Sequence, residues 1–111
     1  MKNKTSFLLE FSMFPISNEC RDGSSVSRYV SKIVDMIDKS GVNYKLTPMG
    51  TVIETQNIDQ ALEIIKKSYQ VLGDCERVYG NLKFDIRKNC SDRLTSKIAS
   101  VESQLGKSVN T

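Results

Sequence analysis

A set of polar, charged and aromatic residues has the types and the spacing to bind a small ligand. The set comprises Ser12, Phe14, Thr47, Met49, Glu54, Tyr79, Asn81, Asp85 and Arg87. Carboxylates, hydroxyls and aromatic rings together suit a flat, polar or cationic heterocycle. The set includes no activated nucleophile and no matched acid and base, so we expect a binding protein with no catalytic residues rather than an enzyme.

The chain of 111 residues contains no histidine. This excludes Ser-His-Asp and Cys-His catalysis and His-ligated zinc, and we expect no metal and no cofactor apart from the ligand itself. The net charge is +3, from 16 Lys and Arg against 13 Asp and Glu, and the excess is spread along the chain. The charge pattern therefore indicates neither a nucleic acid nor a membrane as partner.

Three cysteines, Cys20, Cys75 and Cys90, stand far apart and form no Cys-x-x-Cys motif. Because an odd number of thiols argues against a disulfide framework, we expect ordinary thiols and a cytoplasmic location. No apolar run approaches the roughly 18 residues of a membrane span, and the N-terminus does not resemble a signal peptide.

The strands that must position the binding set follow from apolar residues that recur at every second position. This alternation predicts strands at Thr5–Phe14 and Arg77–Arg87, and Tyr44–Glu54 is typical of a β-hairpin. Pro48 favours the second position of a type I turn, and we expect Gly50 to supply the positive φ that follows.

Apolar residues at the 3.6-residue period predict three helices. We expect Ser24 or Ser25 to cap the first helix and Gly41 to end it in the left-handed region. Asn57 and Gln60 form a predicted capping box at the start of the second. The third follows the last strand, and its apolar stripe packs by default on its own sheet, with a neighbouring subunit as the alternative.

The predicted order is βαββαβ with an additional C-terminal helix. With right-handed crossovers, that order predicts an α+β, ferredoxin-like fold, in which two helices lie on one face of an antiparallel sheet. We expect residues 1–111 to form a single domain. Strand alternation places the binding set, apart from Met49 in the turn, on the face without helices. We refer to this face as the open face.

The binding set separates into two ends of the open face. At the hairpin turn we expect Ser12, Phe14, Tyr79 and Asn81; at the opposite end we expect Glu54, Asp85 and Arg87. One interpretation is a solvated sheet surface with a Glu54–Arg87 or Asp85–Arg87 ion pair. The aromatic and apolar residues on this face favour the other interpretation, in which a subunit, a ligand or both cover it.

The uninterrupted segment Leu46–Thr51, with Ile53 and Glu54 after it, resembles the small thiamine-binding protein family with a ferredoxin-like fold, the YkoF-related proteins. The resemblance extends over roughly Leu8 to Arg87. It implies a non-enzymatic protein that binds thiamine or its hydroxymethylpyrimidine part on the open face at a subunit interface. It also implies self-association into a dimer or a homotetramer.

Physical roles can be assigned to the set if thiamine is the ligand. Glu54 or Asp85 would balance the charge of the thiazolium ring and accept a hydrogen bond from the amino group. Phe14 or Tyr79 would stack on a ring, and Met49 would supply an apolar wall. The hydroxyl and amide side chains of the set would complete the hydrogen bonds.

Two other functions are compatible with a ferredoxin-like fold. The segment Arg77–Phe84 partly resembles the aromatic motif with which RNA-binding domains stack on bases, but Asn81 occupies a stacking position and the segment lies on the fourth strand. A purely structural oligomerisation module is the third possibility. Steep salt dependence in a filter-binding assay with RNA would favour the RNA-binding function.

Overall fold

A four-stranded antiparallel sheet forms the centre of the computed structural model, which describes residues 4–111. The order of the strands is β2-β3-β1-β4. The strands are β1 (Thr5–Pro15), β2 (Asn43–Thr47), β3 (Gly50–Thr55) and β4 (Val78–Lys88); the helices are α1 (Ser27–Ser40), α2 (Ile58–Val71) and α3 (Arg93–Leu105). The predicted ferredoxin-like α+β fold is confirmed.

The hydrophobic core lies between the sheet and the helices α1 and α2. Leu9 and Phe11 of β1 are buried there against Ile53 of β3 and against Ile33 and Ile37 of α1. Burial of each such side chain contributes about 1.5–3 kcal/mol relative to exposure. The alternation of β1 therefore places its apolar residues on the helix-bearing side of the sheet, as predicted. Two of them, Leu9 and Phe11, are buried in the core.

The first helix begins later than predicted. Ser24 and Ser25 do not cap α1, whose first residue is Ser27 and whose N-cap position is Val26, without a side-chain cap. The reason is that Asp22 and Ser25 pair in a short antiparallel bridge, which holds this part of the chain in a turn. The Ser25 hydroxyl still accepts a hydrogen bond from the Ser27 N–H at 3.3 Å.

The other predicted helix ends agree with the structure. Gly41 follows α1 with a φ of 83°, in the left-handed region. The Asn57 side chain accepts a hydrogen bond from the Gln60 N–H at 2.9 Å at the start of α2. Within residues 4–111, no helix is long and apolar enough to cross a membrane.

Strand β4 is an edge strand that the helices do not cover. It pairs with β1 along its whole length, from Pro15 opposite Val78 to Thr5 opposite Lys88. Helix α2 packs against β1 and β3 instead. Three apolar side chains of β4 on the helix-bearing side are consequently 38% to 51% exposed, namely Leu82, Phe84 and Ile86.

A disulfide joins Cys20 to Cys75, with Cα atoms 5.8 Å apart, while Cys90 is free. The prediction of ordinary thiols is therefore wrong for two of the cysteines, and the thiol count no longer supports a reducing compartment. The pairing arises because β1 and β4 bring the β1–α1 and α2–β4 connections together. Beside the disulfide, the Ile16 N–H donates to the Arg77 carbonyl at 2.9 Å.

Gly50 is required for a different reason than predicted. Its φ is not positive, so the turn does not need the left-handed freedom of glycine at this position. Instead, a Cβ atom on Gly50 would lie 2.8 Å from the backbone oxygen of Phe11. The hairpin can approach β1 this closely only because residue 50 has no side chain.

We predict that Gly50→Ala lowers the free energy of unfolding by about 1–3 kcal/mol, and Gly50→Val by more, because the added atoms collide with backbone. Gly80→Ala is the matched control: it also lies in a strand, and its Cβ would come no closer than 3.7 Å to another atom. Urea unfolding of the three variants measures the difference. An unchanged midpoint for Gly50→Ala would contradict the close approach.

Candidate functional site

A cavity of about 450 Å³ lies between the hairpin end of the sheet and the N-terminal half of α1. We refer to it as the hairpin cavity. Val26, Val30 and Ile33 form its wall on the helix side, and Thr47 and Met49 contribute from the hairpin. Ligand cavities have volumes of about 300–1,000 Å³ and mostly apolar walls. The hairpin cavity has the size and the lining of a small-molecule site.

The β1–α1 connection closes one side of this cavity with Arg21 and Ser24. The guanidinium of Arg21 donates from Nη2 to the carbonyl oxygen of Ser24 at 3.0 Å. Directly before Arg21, Cys20 is buried and fixed by the disulfide. The connection is thus covalently anchored next to the residues that it contributes to the cavity.

Glu19 adds a second anchor to the same connection. Its carboxylate accepts a hydrogen bond from the Glu76 N–H at 2.8 Å, across the two loops that the disulfide joins. This bond lowers the pKa of Glu19 below its ordinary value, with a further contribution from the Ser17 hydroxyl. The Ser17 hydroxyl also accepts from the Arg77 N–H at 3.2 Å.

Four members of the predicted binding set line the hairpin cavity: Ser12, Phe14, Thr47 and Met49. The Thr47 hydroxyl is already used within the turn, since it donates to the Gly50 carbonyl at 2.9 Å and accepts from the Met49 N–H at 3.2 Å. Thr47 therefore shapes the hairpin. Met49 is 85% exposed at the rim.

Tyr79 and Asn81 lie beside this end of the sheet but do not line the cavity. Each stands opposite a predicted partner in the β1–β4 register, Tyr79 opposite Phe14 and Asn81 opposite Ser12. The rings of Phe14 and Tyr79 have centroids 5.8 Å apart and form an aromatic pair. The expected grouping of these residues near the hairpin is therefore present on the sheet.

Glu54 lies at the opposite end of the sheet, where it binds the start of α3. Its carboxylate accepts hydrogen bonds from the backbone N–H groups of Arg93 at 3.1 Å and Leu94 at 3.3 Å, and from the Ser6 hydroxyl. A carboxylate at a helix N-terminus satisfies free N–H groups and interacts favourably with the helix dipole. Glu54 thus holds α3 against the open face.

Asp85 pairs with Arg93, which the sequence analysis did not single out. The Arg93 side chain is 9% exposed. Its guanidinium contacts the Asp85 carboxylate at 2.9 Å and donates to the Ser6 hydroxyl and carbonyl, both at 2.9 Å. The predicted ion pairs of Arg87 with Glu54 or Asp85 are therefore wrong. Arg87 is exposed and stands opposite Ser6 in the register.

No local pattern around Arg93 could have revealed this role, because the contact depends on how α3 docks on the sheet. Only the N-terminal half of α3 docks: Leu94 and Ile98 are half-buried, whereas Val101 and Leu105 are exposed. Over residues 4–111, no group of three or more Cys, Asp or Glu side chains could hold a metal ion.

Comparison with known proteins places the chain among proteins of one family. Residues 9–102 match the sequence model of a family described as thiamine-binding protein. A UPF0045 protein of Methanothermobacter thermautotrophicus is 31% identical over 84 residues, which cover 74% of this chain and 85% of that protein. The UPF0045 protein of Methanocaldococcus jannaschii is 32% identical over 83% of this chain and 88% of that protein.

Solved structures have the same fold. The M. jannaschii protein superposes with a TM-score of 0.73 at 31% identity and covers 86% of this chain and 95% of its own. A Thermotoga maritima protein described as a candidate for thiamine biosynthesis or salvage has a TM-score of 0.65, with 86% of this chain and 98% of its own covered. Its identity of 16% supports the fold alone.

We predict that the Glu19 anchor weakens in acid. The pKa of Glu19 is lower in the folded than in the unfolded protein, so its stabilising contribution is complete above the ordinary value of about 4.5 and is lost as the pH falls through the folded-state pKa. Thermal unfolding should show wild type more stable than Glu19→Gln at about pH 6, with the gap closing towards about pH 3.

The matched control for this pH series is Glu76→Gln. That change keeps the backbone N–H that Glu19 accepts from, and the Glu76 carboxylate makes no hydrogen bond or ion pair with any residue from 4 to 111. The difference in thermal stability between Glu76→Gln and wild type should therefore vary less with pH. If the difference in thermal stability between Glu19→Gln and wild type stayed constant from about pH 6 to about pH 3, the anchoring role would be contradicted.

Proposed function

We propose that this chain, which belongs to the thiamine-binding protein family, binds thiamine or its hydroxymethylpyrimidine part without changing it chemically. The observation that carries the proposal is the hairpin cavity, because the segment Leu46–Thr51 lines it throughout. This segment is also the one whose residues resemble the family. The segment that resembles the family is therefore also a segment that lines the cavity.

The shape and lining of the cavity suit the pyrimidine ring. A flat ring gains from apolar walls such as those of Val30 and Ile33, and a few polar groups fix its orientation. Ser24 of the β1–α1 connection also lines the cavity, and its hydroxyl is a candidate to bind the ring's edge. Phe14 offers an aromatic surface at the same end of the sheet.

The proposal moves the ligand from the open face to the cavity on the helix-bearing side. The carboxylates that would balance a cation on the open face, Glu54 and Asp85, already bind the start of α3 and Arg93. A ligand there would compete with these intramolecular partners. The hairpin cavity requires no such exchange.

We extend the proposal to self-association into a dimer or tetramer, on account of the exposed apolar surface. Leu82, Phe84 and Ile86 of β4 are uncovered on the helix-bearing side, and Val101 and Leu105 of α3 are uncovered as well. The radius of gyration is 15.8 Å, compared with about 13 Å for a compact domain of this length. Association would bury these side chains and the protruding end of α3.

Binding can be located with calorimetric titration of thiamine and hydroxymethylpyrimidine. We predict that Val30→Phe, which fills the cavity, weakens binding by at least about tenfold, or about 1.4 kcal/mol. Val34→Phe is the matched control, since Val34 is half-buried on the same helix and does not line the cavity. Wild-type protein that produces no heat with either compound would contradict the ligand assignment.

The same titration distinguishes the cavity from the open face. If the open face were the site, Asp85→Asn would remove a counter-charge and weaken thiamine binding by about 1–3 kcal/mol. With the ring in the cavity, we expect Asp85→Asn to bind as wild type does. Loss of binding in Asp85→Asn together with unchanged binding in Val30→Phe would return the site to the open face.

Light scattering at micromolar concentration tests self-association. We predict a mass that is a multiple of 12.5 kDa and a lower mass for Phe84→Asp, because a charge in an apolar interface is costly to desolvate. Ser31→Asp adds the same charge on the exposed side of α1 and should leave the mass unchanged. A wild-type mass of one chain would contradict the proposal.

A further inference from the structure

Arg21 is the single charged residue that lines the hairpin cavity, within the range 4–111 that the structure describes. The remaining lining residues are apolar or neutral and polar. Among residues 4–111, no Asp or Glu lines the cavity. The cavity therefore has a positive charge at its rim and no group that would neutralise a cation inside it.

The charge of Arg21 is not used by the protein itself. One N–H group donates to the Ser24 carbonyl, and Arg21 forms no ion pair with a described residue. The acidic residues on either side have other partners: Glu19 accepts from the Glu76 N–H, and Asp22 pairs with Arg28 at 3.6 Å. The other N–H groups of Arg21 are left for a ligand.

The position of Arg21 is fixed by its neighbours. Cys20 precedes it and is bonded to Cys75, and the Arg21 N–H donates to the Asn18 carbonyl at 3.2 Å. The bond from its side chain to the Ser24 carbonyl restrains the guanidinium beside a second residue that lines the cavity. An arginine held in this way loses little conformational freedom when it binds an anion, which favours affinity.

We propose that the hairpin cavity takes a phosphorylated pyrimidine, with the ring between the apolar walls and the phosphate on Arg21. This inference rests on the proposed function and specifies the class of ligand. The guanidinium of arginine matches phosphate oxygens with two parallel hydrogen bonds. Hydroxymethylpyrimidine phosphate carries both the ring and the anion, and the bare pyrimidine carries only the ring.

The same charge disfavours a cation inside the cavity. The thiazolium ring of thiamine has a permanent positive charge that proton transfer cannot remove. Placed near Arg21, it meets a like charge in a partly enclosed site, and like charges brought together at a binding site reduce affinity. The order of affinity that follows is hydroxymethylpyrimidine phosphate first, then hydroxymethylpyrimidine, then thiamine.

Calorimetric titration of the full chain with these three compounds tests the proposal. We expect hydroxymethylpyrimidine phosphate to bind at least about tenfold more tightly than hydroxymethylpyrimidine, an advantage that shrinks as salt is added. Arg21→Gln should remove the advantage, so that the phosphorylated and the bare pyrimidine bind this variant about equally. Its thermal unfolding should match that of wild type, which shows that the variant is folded. Arg21→Lys should retain part of the advantage.

Arg28→Gln is the matched control. Arg28 is a neighbouring arginine that is engaged by Asp22, lies 5.0 Å from the centre of the Tyr29 ring and does not line the cavity. This variant should keep the full advantage of the phosphate. Inorganic phosphate alone should compete weakly with the phosphorylated compound and not with the bare pyrimidine.

The outcomes separate the two proposals. Equal binding of the phosphorylated and bare pyrimidines, or an advantage that survives in Arg21→Gln, overturns the role of Arg21 and leaves pyrimidine binding in place. Absence of heat with all three compounds overturns both proposals. Tighter binding of thiamine than of the phosphorylated pyrimidine overturns the order of affinity and with it the charge argument.

Discussion

The pairing of β1 on both of its edges is the constraint on which the rest of the structure depends. Its inner positions supply Leu9 and Phe11 to the core, its first residues supply Ser6 to the contact with Arg93, and its last residues reach the hairpin cavity. A shift of one residue in its register would exchange the two faces and disrupt all three. The close approach of Gly50 to the Phe11 carbonyl secures that register at the hairpin end.

The two ends of the sheet use charge in opposite ways. At the α3 end, Glu54 and Asp85 are matched by helix N–H groups and by the nearly buried Arg93. The Asp85 side chain is 72% exposed, so the nearly buried guanidinium of Arg93, with its further bonds to Ser6, is the member of this group that most needs its partners. At the cavity end, Arg21 forms no ion pair with any residue that the structure describes. The first arrangement holds α3 on the sheet, and the second is the one that we propose for recognition of a ligand.

The parts of the fold that local patterns determine could be predicted from the sequence. Alternation along β1 and β4 predicted which side of each strand faces the helices, and the Asn57–Gln60 pair predicted the start of α2. Four residues of the predicted binding set line the hairpin cavity instead of meeting a ligand on the open face, and their binding role stays a prediction. Each of these features depends on neighbours in the chain or on the period of a strand.

Features that depend on distant contacts could not be predicted in the same way. The partner of Asp85 is determined by the docking of α3, and the Cys20–Cys75 bond by the meeting of two loops. The need for glycine at position 50 was predicted, but its cause lies in a different strand. Arg21 was overlooked because a lone arginine in a polar loop has no periodic pattern, and its importance depends on the cavity beside it.

The disulfide also changes how far apart the two longest strands are along the covalent chain. Pro15 pairs with Val78, although α1, the hairpin and α2 all lie between them in the sequence. Cys20 and Cys75, separated by 55 positions, stand only a few residues from this pair. In an oxidised unfolded chain the short path runs through the two sulfur atoms, so β1 and β4 close a small loop when they meet, and small loops cost less entropy. The strand pair with the largest separation in the sequence then forms with the short loop of a hairpin, at a correspondingly lower entropy cost.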